Sequence, residues 1–309
     1  MSACCFCFHK KKKLQNEDLL IQKEQQDHYQ ILIEEPPRKL STKSFNKNKP
    51  ESDFQLEGSI ESTSIPEPSE SRNSVLSVVN NALLYFPSND QISPCSDYVT
   101  SQFHNFTKIL ELEASSDWEV KIDKPFACIM LKTETSSHPG IPILKAFFDM
   151  ELDAYPQDLY EILYLPEYRM RWDTDIQIFY EIGHLAEDAV QYYMHNKAPW
   201  PFKDRDFVET RYKRNRVNGD IEILYLSLDH NEFPEKKEKA IRAETIIGGQ
   251  IFRRRVSLSN GKPSLYVTTI FQADMKGDIP KKALKITVPT NILKWYRTVK
   301  KQLQIKIHS

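Results

Sequence analysis

The residues that could do chemistry in this 309-residue chain are dispersed, and their spacing matches no catalytic or metal-binding motif. The eight histidines share no metal-ligand spacing with one another or with the cysteines, and each is expected at the surface or in a turn. Neither a glycine-rich phosphate loop nor a Gly-x-Ser-x-Gly elbow occurs. We interpret Asp204, Arg205 and Asp206 as a structural ion pair at the start of a strand, not as an acid–base pair. The sequence therefore predicts no catalytic residue, no metal site and no cofactor.

Two other short motifs have simple structural interpretations. Gly248-Gly249 follows a strand candidate and lacks the spacing of a phosphate-binding loop, so we expect a bulge or a sharp bend there. Arg253-Arg254-Arg255 could form a basic patch. Alternate side chains of a strand point to opposite faces, so Arg254 is expected opposite the other two, and the run is expected on a solvated edge.

The charge of the chain is nearly balanced, with 42 basic and 43 acidic residues. A general nucleic-acid-binding protein would show a clear basic excess, so the composition argues against this class. No stretch reaches the roughly 18–20 uninterrupted apolar residues that a membrane-spanning helix needs. Cys95 and Cys128 stand alone in the sequence, and an odd number of cysteines without paired spacing is a poor disulfide framework. We expect a cytoplasmic protein, soluble or held at a membrane from one side.

The first thirteen residues combine three cysteines and two phenylalanines with a run of four lysines. Clustered cysteines beside basic residues are candidates for reversible S-acylation, whereas Ser2 stands where myristoylation requires glycine. Two acyl chains hold a protein stably at a membrane, and each lysine adds about 1 kcal/mol at an anionic leaflet. The alternative is a disordered tail in which the cysteines are incidental. We predict a palmitoylated peripheral anchor formed by Cys4, Cys5, Cys7, Lys10, Lys11, Lys12 and Lys13.

The composition of the chain changes near residue 95. From Pro36 to Ser74 the sequence is rich in Ser, Pro, Glu, Asn and Lys and has few large apolar residues, which is typical of disorder. From about Ser96 onward, aromatic residues become dense, and polar and apolar positions alternate. We therefore expect a largely disordered N-terminal segment over residues 1–94 and one folded domain over residues 95–309.

Three segments of the folded part have helical periodicity. The first spans Ser96–Ala114, and the second begins at Pro156 and runs to Leu165. The third begins at Pro280, and a break is expected near Pro289. One stripe of this terminal helix contains Ile292, Trp295, Tyr296, Val299 and Leu303. It is the only helix large and apolar enough to cover the inner face of a sheet.

Nine segments have the alternation or the aromatic and β-branched content of strands. They are Trp118–Asp123, Phe126–Lys132, Ile143–Leu152, Ile176–Leu185, Ala189–Lys197, Phe207–Arg214, Ile221–Leu228, Ile241–Ile247 and Leu265–Ala273. In the fourth, Ile176, Ile178, Tyr180 and Ile182 are expected to share one side. Short polar connections favour an antiparallel sheet, which must curl at this length, and one long helix gripped by it leaves an elongated cavity. The pattern predicts an α+β fold with an internal pocket and does not identify its ligand.

Several motifs occur together in the order and at the spacing of a known family. Leu163–Asp173 reads LYLPEYRMRWD, and Ala198–Val208 reads APWPFKDRDFV. Further matches are SLDH from Ser227, IRAE from Ile241 and DMKGDIP from Asp274. Over residues 98–306 the chain resembles the START (steroidogenic acute regulatory protein-related lipid-transfer) domain family, and its motifs are most similar to those of the phosphatidylcholine-transfer-like members.

This resemblance implies a helix-grip fold, in which a curled antiparallel sheet wraps around the C-terminal helix and an internal tunnel holds one lipid. The implied function is to bind that lipid and to transfer or present it between membranes, without catalysis and as a monomer at a cytosolic membrane surface. Two alternatives stay open: a lipid sensor without transfer activity, and a cyclase- or hydrolase-type enzyme on the same fold. The enzyme would need an ionisable pair that faces the tunnel, and Arg242 with Glu244 is the best candidate.

The resemblance also assigns roles to single residues. In the phosphatidylcholine-binding members, an arginine four residues before an aspartate holds the lipid phosphate, and here these residues are Arg169 and Asp173. The alternative is a structural ion pair at a helix end. Aromatic rings enclose the choline in those members, but Met194 and Phe207 stand where a Trp and a Tyr are expected, which leaves a phospholipid of another headgroup, or a sterol, open. The candidate lipid-binding residues are Arg169, Asp173, Met194, Phe207, Arg242, Glu244 and Trp295.

Overall fold

The computed structural model of the protein describes residues 91–132, 138–198, 202–227, 233, 235, 240–257, 260–277 and 279–309. The predicted anchor and nearly all of the segment predicted to be disordered lie outside these residues. The helices are α1 (Asp97–Ser101), α2 (Phe103–Ala114), α3 (Pro156–Tyr164), α4 (Pro166–Arg169) and α5 (Lys281–Ile307). The strands are β1 (Glu119–Lys124), β2 (Ala127–Lys132), β3 (Ile143–Asp149), β4 (Ile176–Ala186), β5 (Ala189–Asn196), β6 (Arg205–Asn215), β7 (Ile221–Ser227), β8 (Ile241–Arg242), β9 (Glu244–Val256) and β10 (Pro263–Asp274).

The strands form one curled sheet in the order β1-β2-β3-β10-β9-β7-β6-β5-β4, in which all neighbours are antiparallel. The two-residue strand β8 lies off this path and pairs in parallel with the start of β6. Short connections produce the antiparallel meanders β1–β3 and β4–β7, and β9 and β10 join them. The predicted α+β helix-grip architecture, a curled antiparallel sheet with a long C-terminal helix, is confirmed.

The inner face of the sheet, defined as the face that contacts α3 and α5, holds the largest apolar cluster. The stripe of α5 lies in it, and Val299 and Leu303 are fully buried. The Tyr296 ring stacks on Phe148 with centroids 4.8 Å apart, and its hydroxyl donates to the Asp149 carbonyl at 2.8 Å. Each fully buried side chain of this kind contributes up to about 1.5–3 kcal/mol of hydrophobic free energy. The terminal helix therefore covers the inner face, as its spacing predicts.

The outer face, defined as the face that contacts α1 and α2, contains a buried ion pair. The Arg253 guanidinium donates from Nη1 and Nη2 to the two oxygens of Glu113 in α2, at 2.6 and 2.8 Å. Thr268 donates to the same carboxylate at 2.5 Å. Arg254 points the opposite way and pairs with Asp153, so the predicted alternation is right. The prediction of a solvated edge is wrong for Arg253, because α2 covers this part of the strand and leaves Arg253 only 4% exposed.

A second buried cation on the outer face caps the C-terminal end of α2. Lys145 in β3 is 3% exposed, and its Nζ donates to the carbonyls of Glu113 and Ser115 at 3.0 and 2.7 Å. The ammonium also lies 4.4 Å from the centroid of the Trp118 ring. Burial lowers the pKa of Lys145 to about 8, although the carboxylate of Glu113 opposes that shift. The lysine thus bonds carbonyls that a helix C-terminus leaves without partners.

Gly248 and Gly249 lie inside β9, so the bulge or bend expected at this pair is wrong. A Cβ on Gly248 would stand 2.0 Å from Cε2 of the Tyr225 ring, on the inner face. A Cβ on Gly249 would stand 2.7 Å from Cδ1 of Ile109, on the outer face. The register of β9 against β10 shifts just before the pair, between Thr245 and Ile247, and the glycines themselves serve close packing on both faces of the strand.

Two further sequence expectations differ from the structure. The side chains of Ile178 and Tyr180 are about two-fifths exposed, whereas Ile176 and Phe179 are buried, because the register of β4 against β5 shifts after Ile176. The helix α5 also continues through Pro289 without a break. Hydroxyls on both sides of Pro289 bond backbone carbonyls one turn earlier, at 2.8 and 2.9 Å, and tertiary burial outweighs the one hydrogen bond that proline removes.

Candidate functional site

A cluster of charged side chains with one phenol lies on the inner face, and its members come from α3, α4, the turn after α4, and β6. We call Tyr164, Arg169, Asp173, Glu209 and Arg211 the interior polar cluster. Burial lowers the pKa of Arg169, Asp173 opposes that shift, and the positive charge of Arg211 lowers the pKa further. A polar group among apolar walls is costly unless it is hydrogen-bonded, and each member of the cluster has at least one such partner.

Arg169 and Asp173 form a hydrogen-bonded ion pair one helical turn apart. Nε of Arg169 donates to Oδ2 of Asp173 at 2.8 Å, and Nη2 lies 2.6 Å from the same oxygen. The side chains are 16% and 10% exposed. The guanidinium also stacks 4.6 Å from the centroid of Trp172, in the turn that follows the short helix α4. Arg169 and Asp173, which the sequence analysis treats as a pair, are therefore in direct contact.

Glu209 and Arg211 form a second pair on the same inner face of β6. Nε and Nη2 of Arg211 donate to Oε2 of Glu209 at 3.3 and 3.1 Å. Thr245 donates to the other carboxylate oxygen at 2.5 Å. Burial, the largest single effect, lowers the pKa of Arg211, but Glu209 together with Tyr164 and Tyr192 exceeds it, and the net shift is upward. Sequence reasoning missed this pair, although two charges two residues apart in an apolar strand are a readable signal for one shared face.

Tyr164 connects the cluster to the centre of the sheet. Its hydroxyl bonds Oε1 of Gln250 at 2.7 Å, and Nε2 of Gln250 donates to Thr269 at 3.3 Å. Burial raises the pKa of Tyr164 well above its ordinary value, so the phenol stays neutral. The result is a row of polar groups across β9 and β10, inside otherwise apolar walls.

The space beside Arg211 is small. A cavity of about 10 Å³ is lined by residues of α3, β5, β6 and β7, including Tyr160, Tyr164, Tyr192 and Arg211. A volume of this size holds about one water molecule. Ligand pockets typically measure about 300–1,000 Å³, so a lipid requires these walls to separate.

Met194 and Phe207 are opposite each other in the β5–β6 pair and share the inner face with Arg211. Sδ of Met194 lies 4.0 Å from Nη2 of Arg211, and Phe207 is 4% exposed. Trp295 lies in the apolar layer of α5, with its ring centroid 6.2 Å from that of Phe148. These three predicted residues therefore face the interior, two of them beside the interior polar cluster.

Arg242 and Glu244 are not brought together. Nε and Nη2 of Arg242 bind the two oxygens of Asp206 at 3.0 and 2.9 Å. Asp206 points to the face of β6 opposite Phe207, because the two are consecutive strand residues. Glu244 has a side chain 51% exposed and pairs with Lys276 at 3.4 Å. The acid–base pair that an enzyme would need is thus absent at this position.

Asp204 and Arg205 bind different partners and not each other. Its carboxylate accepts bonds from the Ala198 N–H at 2.9 Å and faces Nε2 of His195 at 3.1 Å. These bonds lower the pKa of Asp204 although burial, the largest single effect, raises it. Arg205 donates instead to the carbonyls of Met275 and Lys276. The predicted ion pair within Asp204–Asp206 is therefore wrong, and His195 is buried instead of lying at the surface.

Sequence comparison identifies one matching family and several relatives. The sequence model of the START domain family matches residues 111–306. START domain-containing protein 10 of Mus musculus is 29% identical over 149 residues, which are 47% of this chain and 49% of that protein, so the match spans about half of the relative's length. Phosphatidylcholine transfer protein of Rattus norvegicus is 26% identical over 149 residues, 46% of this chain and 67% of that protein.

Solved structures share the architecture. The crystal structure of human STARD10 superposes with a TM-score of 0.58 at 22% identity, covering 70% of this chain and 83% of that one. Human StAR-related lipid transfer protein 5 gives a TM-score of 0.59 at 14% identity, covering 69% and 99%. At these identities the similarity shows the fold: a curled antiparallel sheet closed by a C-terminal helix.

Proposed function

Because this chain belongs to the START domain family, we propose that its folded part binds one lipid against the inner face of the sheet and transfers or presents it between membranes. The name of one relative, phosphatidylcholine transfer protein, supports a phospholipid as the ligand. The chain's own residues add a second argument, which concerns the phosphate.

The observation that carries this proposal is the buried position of Arg169. The Arg169 guanidinium is 16% exposed, and besides Asp173 it has only a long bond from Nη1 to the Leu163 carbonyl at 3.4 Å among the described residues, so it can still donate to the oxygens of an anionic ligand. A phosphate that reaches it gains charge-assisted hydrogen bonds, each of which is worth about 1.5–3 kcal/mol. Asp173 fixes the orientation of the guanidinium through Nε. We propose that the phosphate of a phospholipid binds here.

The acyl chains would lie in the apolar layer between the sheet and α5. Each methylene removed from water contributes about 0.8 kcal/mol, so an enclosed lipid needs no covalent chemistry to be held. The small volume of the cavity beside Arg211 requires movement, and α5 is the element whose displacement would open the inner face. We propose α5 as the lid.

The proposal is tested on the full chain. After incubation with mixed phospholipid vesicles and re-isolation, mass spectrometry should find one lipid per protein molecule. A well-folded protein that extracts no lipid would refute the proposal. Movement of a fluorescent phospholipid between donor and acceptor vesicles separates transfer from sensing, because a sensor would bind the lipid without moving it.

We also propose peripheral attachment of the protein to a cytosolic membrane through Cys4, Cys5, Cys7 and the lysines that follow them. These residues lie outside the described part of the chain, and the argument for them is their chemistry. Within the described residues, no helix combines the length and the apolar content needed to cross a bilayer. Attachment by acyl chains and a polybasic run is independent of such a helix.

A further inference from the structure

The guanidinium of Arg211 is surrounded by four aromatic rings on the inner face. Its Cζ lies 4.9 Å from the ring centroid of Tyr192, 5.0 Å from Phe179, 5.2 Å from Tyr164 and 6.0 Å from Tyr225. We call these four rings and the guanidinium the Arg211 box. Rings within about 6 Å attract a cation by their quadrupoles, and cages of such rings are how proteins recognise quaternary ammonium groups.

The box is buried, and its cation is held in place. The side chain of Arg211 is 11% exposed and that of Glu209 is 3% exposed. Glu209 binds Nε and Nη2 through one oxygen, while Thr245 holds the other oxygen. Among the described residues, no acceptor bonds Nη1 of Arg211. The guanidinium thus occupies the space between the four rings, and its Nη1 remains available to donate to an oxygen of a ligand.

We infer that Arg211 determines headgroup specificity: it occupies the cation site of the Arg211 box, so the protein selects phospholipids whose phosphate carries no cationic substituent and discriminates against choline. This inference rests on the proposed function. Four rings that already surround a guanidinium cannot also surround a trimethylammonium, and two like charges repel strongly where water is excluded. A phosphate, in contrast, adds negative charge beside Arg169 and the free edge of Arg211. Phosphatidylinositol is a lipid of the favoured class.

The test measures the ratio of phosphatidylinositol to phosphatidylcholine extracted from equimolar vesicles with matched acyl chains. The wild-type chain should prefer phosphatidylinositol. The double variant Arg211→Met with Glu209→Gln empties the box without leaving a charge unpaired, and Gln keeps an acceptor for Thr245. The ratio should shift towards phosphatidylcholine by roughly 30-fold, which corresponds to about 2 kcal/mol at 1.4 kcal/mol per tenfold.

The matched control lies on the same strand. Arg214→Met with Glu222→Gln removes another buried arginine–glutamate pair, between β6 and β7 on the outer face, where Glu222 also binds Arg216; it should leave the ratio unchanged. Arg211→Lys keeps a cation in the box and should keep the wild-type preference, which tests the inference even where the double variant does not fold.

Several results would overturn the inference. They are a wild-type preference for phosphatidylcholine, a double variant with the wild-type ratio, and an Arg211→Lys variant that extracts phosphatidylcholine as the double variant should. Full competition by millimolar soluble inositol phosphate would assign the site to a free phosphate ester and not to a lipid headgroup. If the wild-type chain extracts no lipid at all, the proposed function fails. If it extracts mainly phosphatidylcholine, only the role of Arg211 fails.

Discussion

Replacement of Gly248 by alanine tests whether the close contact between β9 and the Tyr225 ring shapes the interior. The added Cβ would stand 2.0, 2.3 and 2.6 Å from three carbons of that ring, so either the ring or the strand has to move. Tyr225 is a wall of the Arg211 box and also packs against Phe271, with centroids 6.0 Å apart. Its displacement therefore changes the site and not only the strand.

The expected loss of stability combines two opposing effects. Overpacking a well-packed interior costs about 1–3 kcal/mol. Alanine recovers roughly 0.5–1 kcal/mol, because it loses less backbone entropy than glycine when a strand forms. We expect Gly248→Ala to lower the free energy of unfolding by about 1–2 kcal/mol. Phospholipid uptake should fall about fivefold for each 1 kcal/mol needed to return the ring to its place.

Urea denaturation and lipid extraction from vesicles measure the two effects on the same preparation. Gly249→Ala is the matched control, because its Cβ would stand 2.7 Å from Cδ1 and 2.9 Å from Cγ1 of Ile109, on the outer face and away from Tyr225. It should lose some stability and retain full uptake. A Gly248→Ala protein with the stability and the uptake of the wild type would show that the Tyr225 contact does not shape the site.

Three further predictions concern other parts of the chain. Arg169→Leu should weaken phospholipid uptake by roughly tenfold or more, because about 1.5–3 kcal/mol of charged hydrogen bonding is lost; unchanged uptake by a folded variant would make Arg169 structural. Replacement of Cys4, Cys5 and Cys7 by serine should move the protein from membranes to cytosol on fractionation and leave lipid uptake intact; equal membrane recovery would contradict the anchor. Lys145 has a folded-state pKa of about 8, below the ordinary value near 10.4, so the unfolded chain binds more protons between these pH values. The free energy of unfolding should therefore rise from pH 8 to about pH 10.4 by up to roughly 3 kcal/mol relative to Lys145→Met; parallel pH profiles in urea titrations would refute this.

The elements that could be predicted from the sequence are those set by local periodicity. The stripe of α5 predicts its contacts because helical spacing alone determines which side chains share a face. The strands that begin at Ile143 and Ile221 could be located in the same local way, from their alternation and their content of β-branched and aromatic residues. Pro289 and the register shift after Ile176 show the limit: a proline or a bulge is decided by the packing of distant elements, which no local pattern contains.

In the candidate site, too, contacts between residues close in sequence could be predicted, and contacts between different strands could not. Arg169 and Asp173 are one helical turn apart, so their contact could be predicted, whereas the function of that contact remains a proposal. Arg242 and Glu244 look like a pair in the sequence, but the partner of Arg242 is Asp206, on a neighbouring strand. The Arg211 box was missed because its rings come from α3, β4, β5 and β7. Such a cluster exists only after the strands are paired.

The three register shifts in β4 also affect whether two molecules of this protein can pair edge to edge. Among the described residues the strand order ends at β4, and no strand pairs with the outer side of β4. A straight edge with regular spacing is a template for the growth of fibrils and for adventitious dimers. The bulges interrupt that spacing three times in eleven residues, so an incoming strand cannot pair over more than a few positions. Among the described residues, β4 with eleven residues is longer than β1, the other edge strand, with six, so the bulges limit edge-to-edge pairing at the longer edge of the sheet.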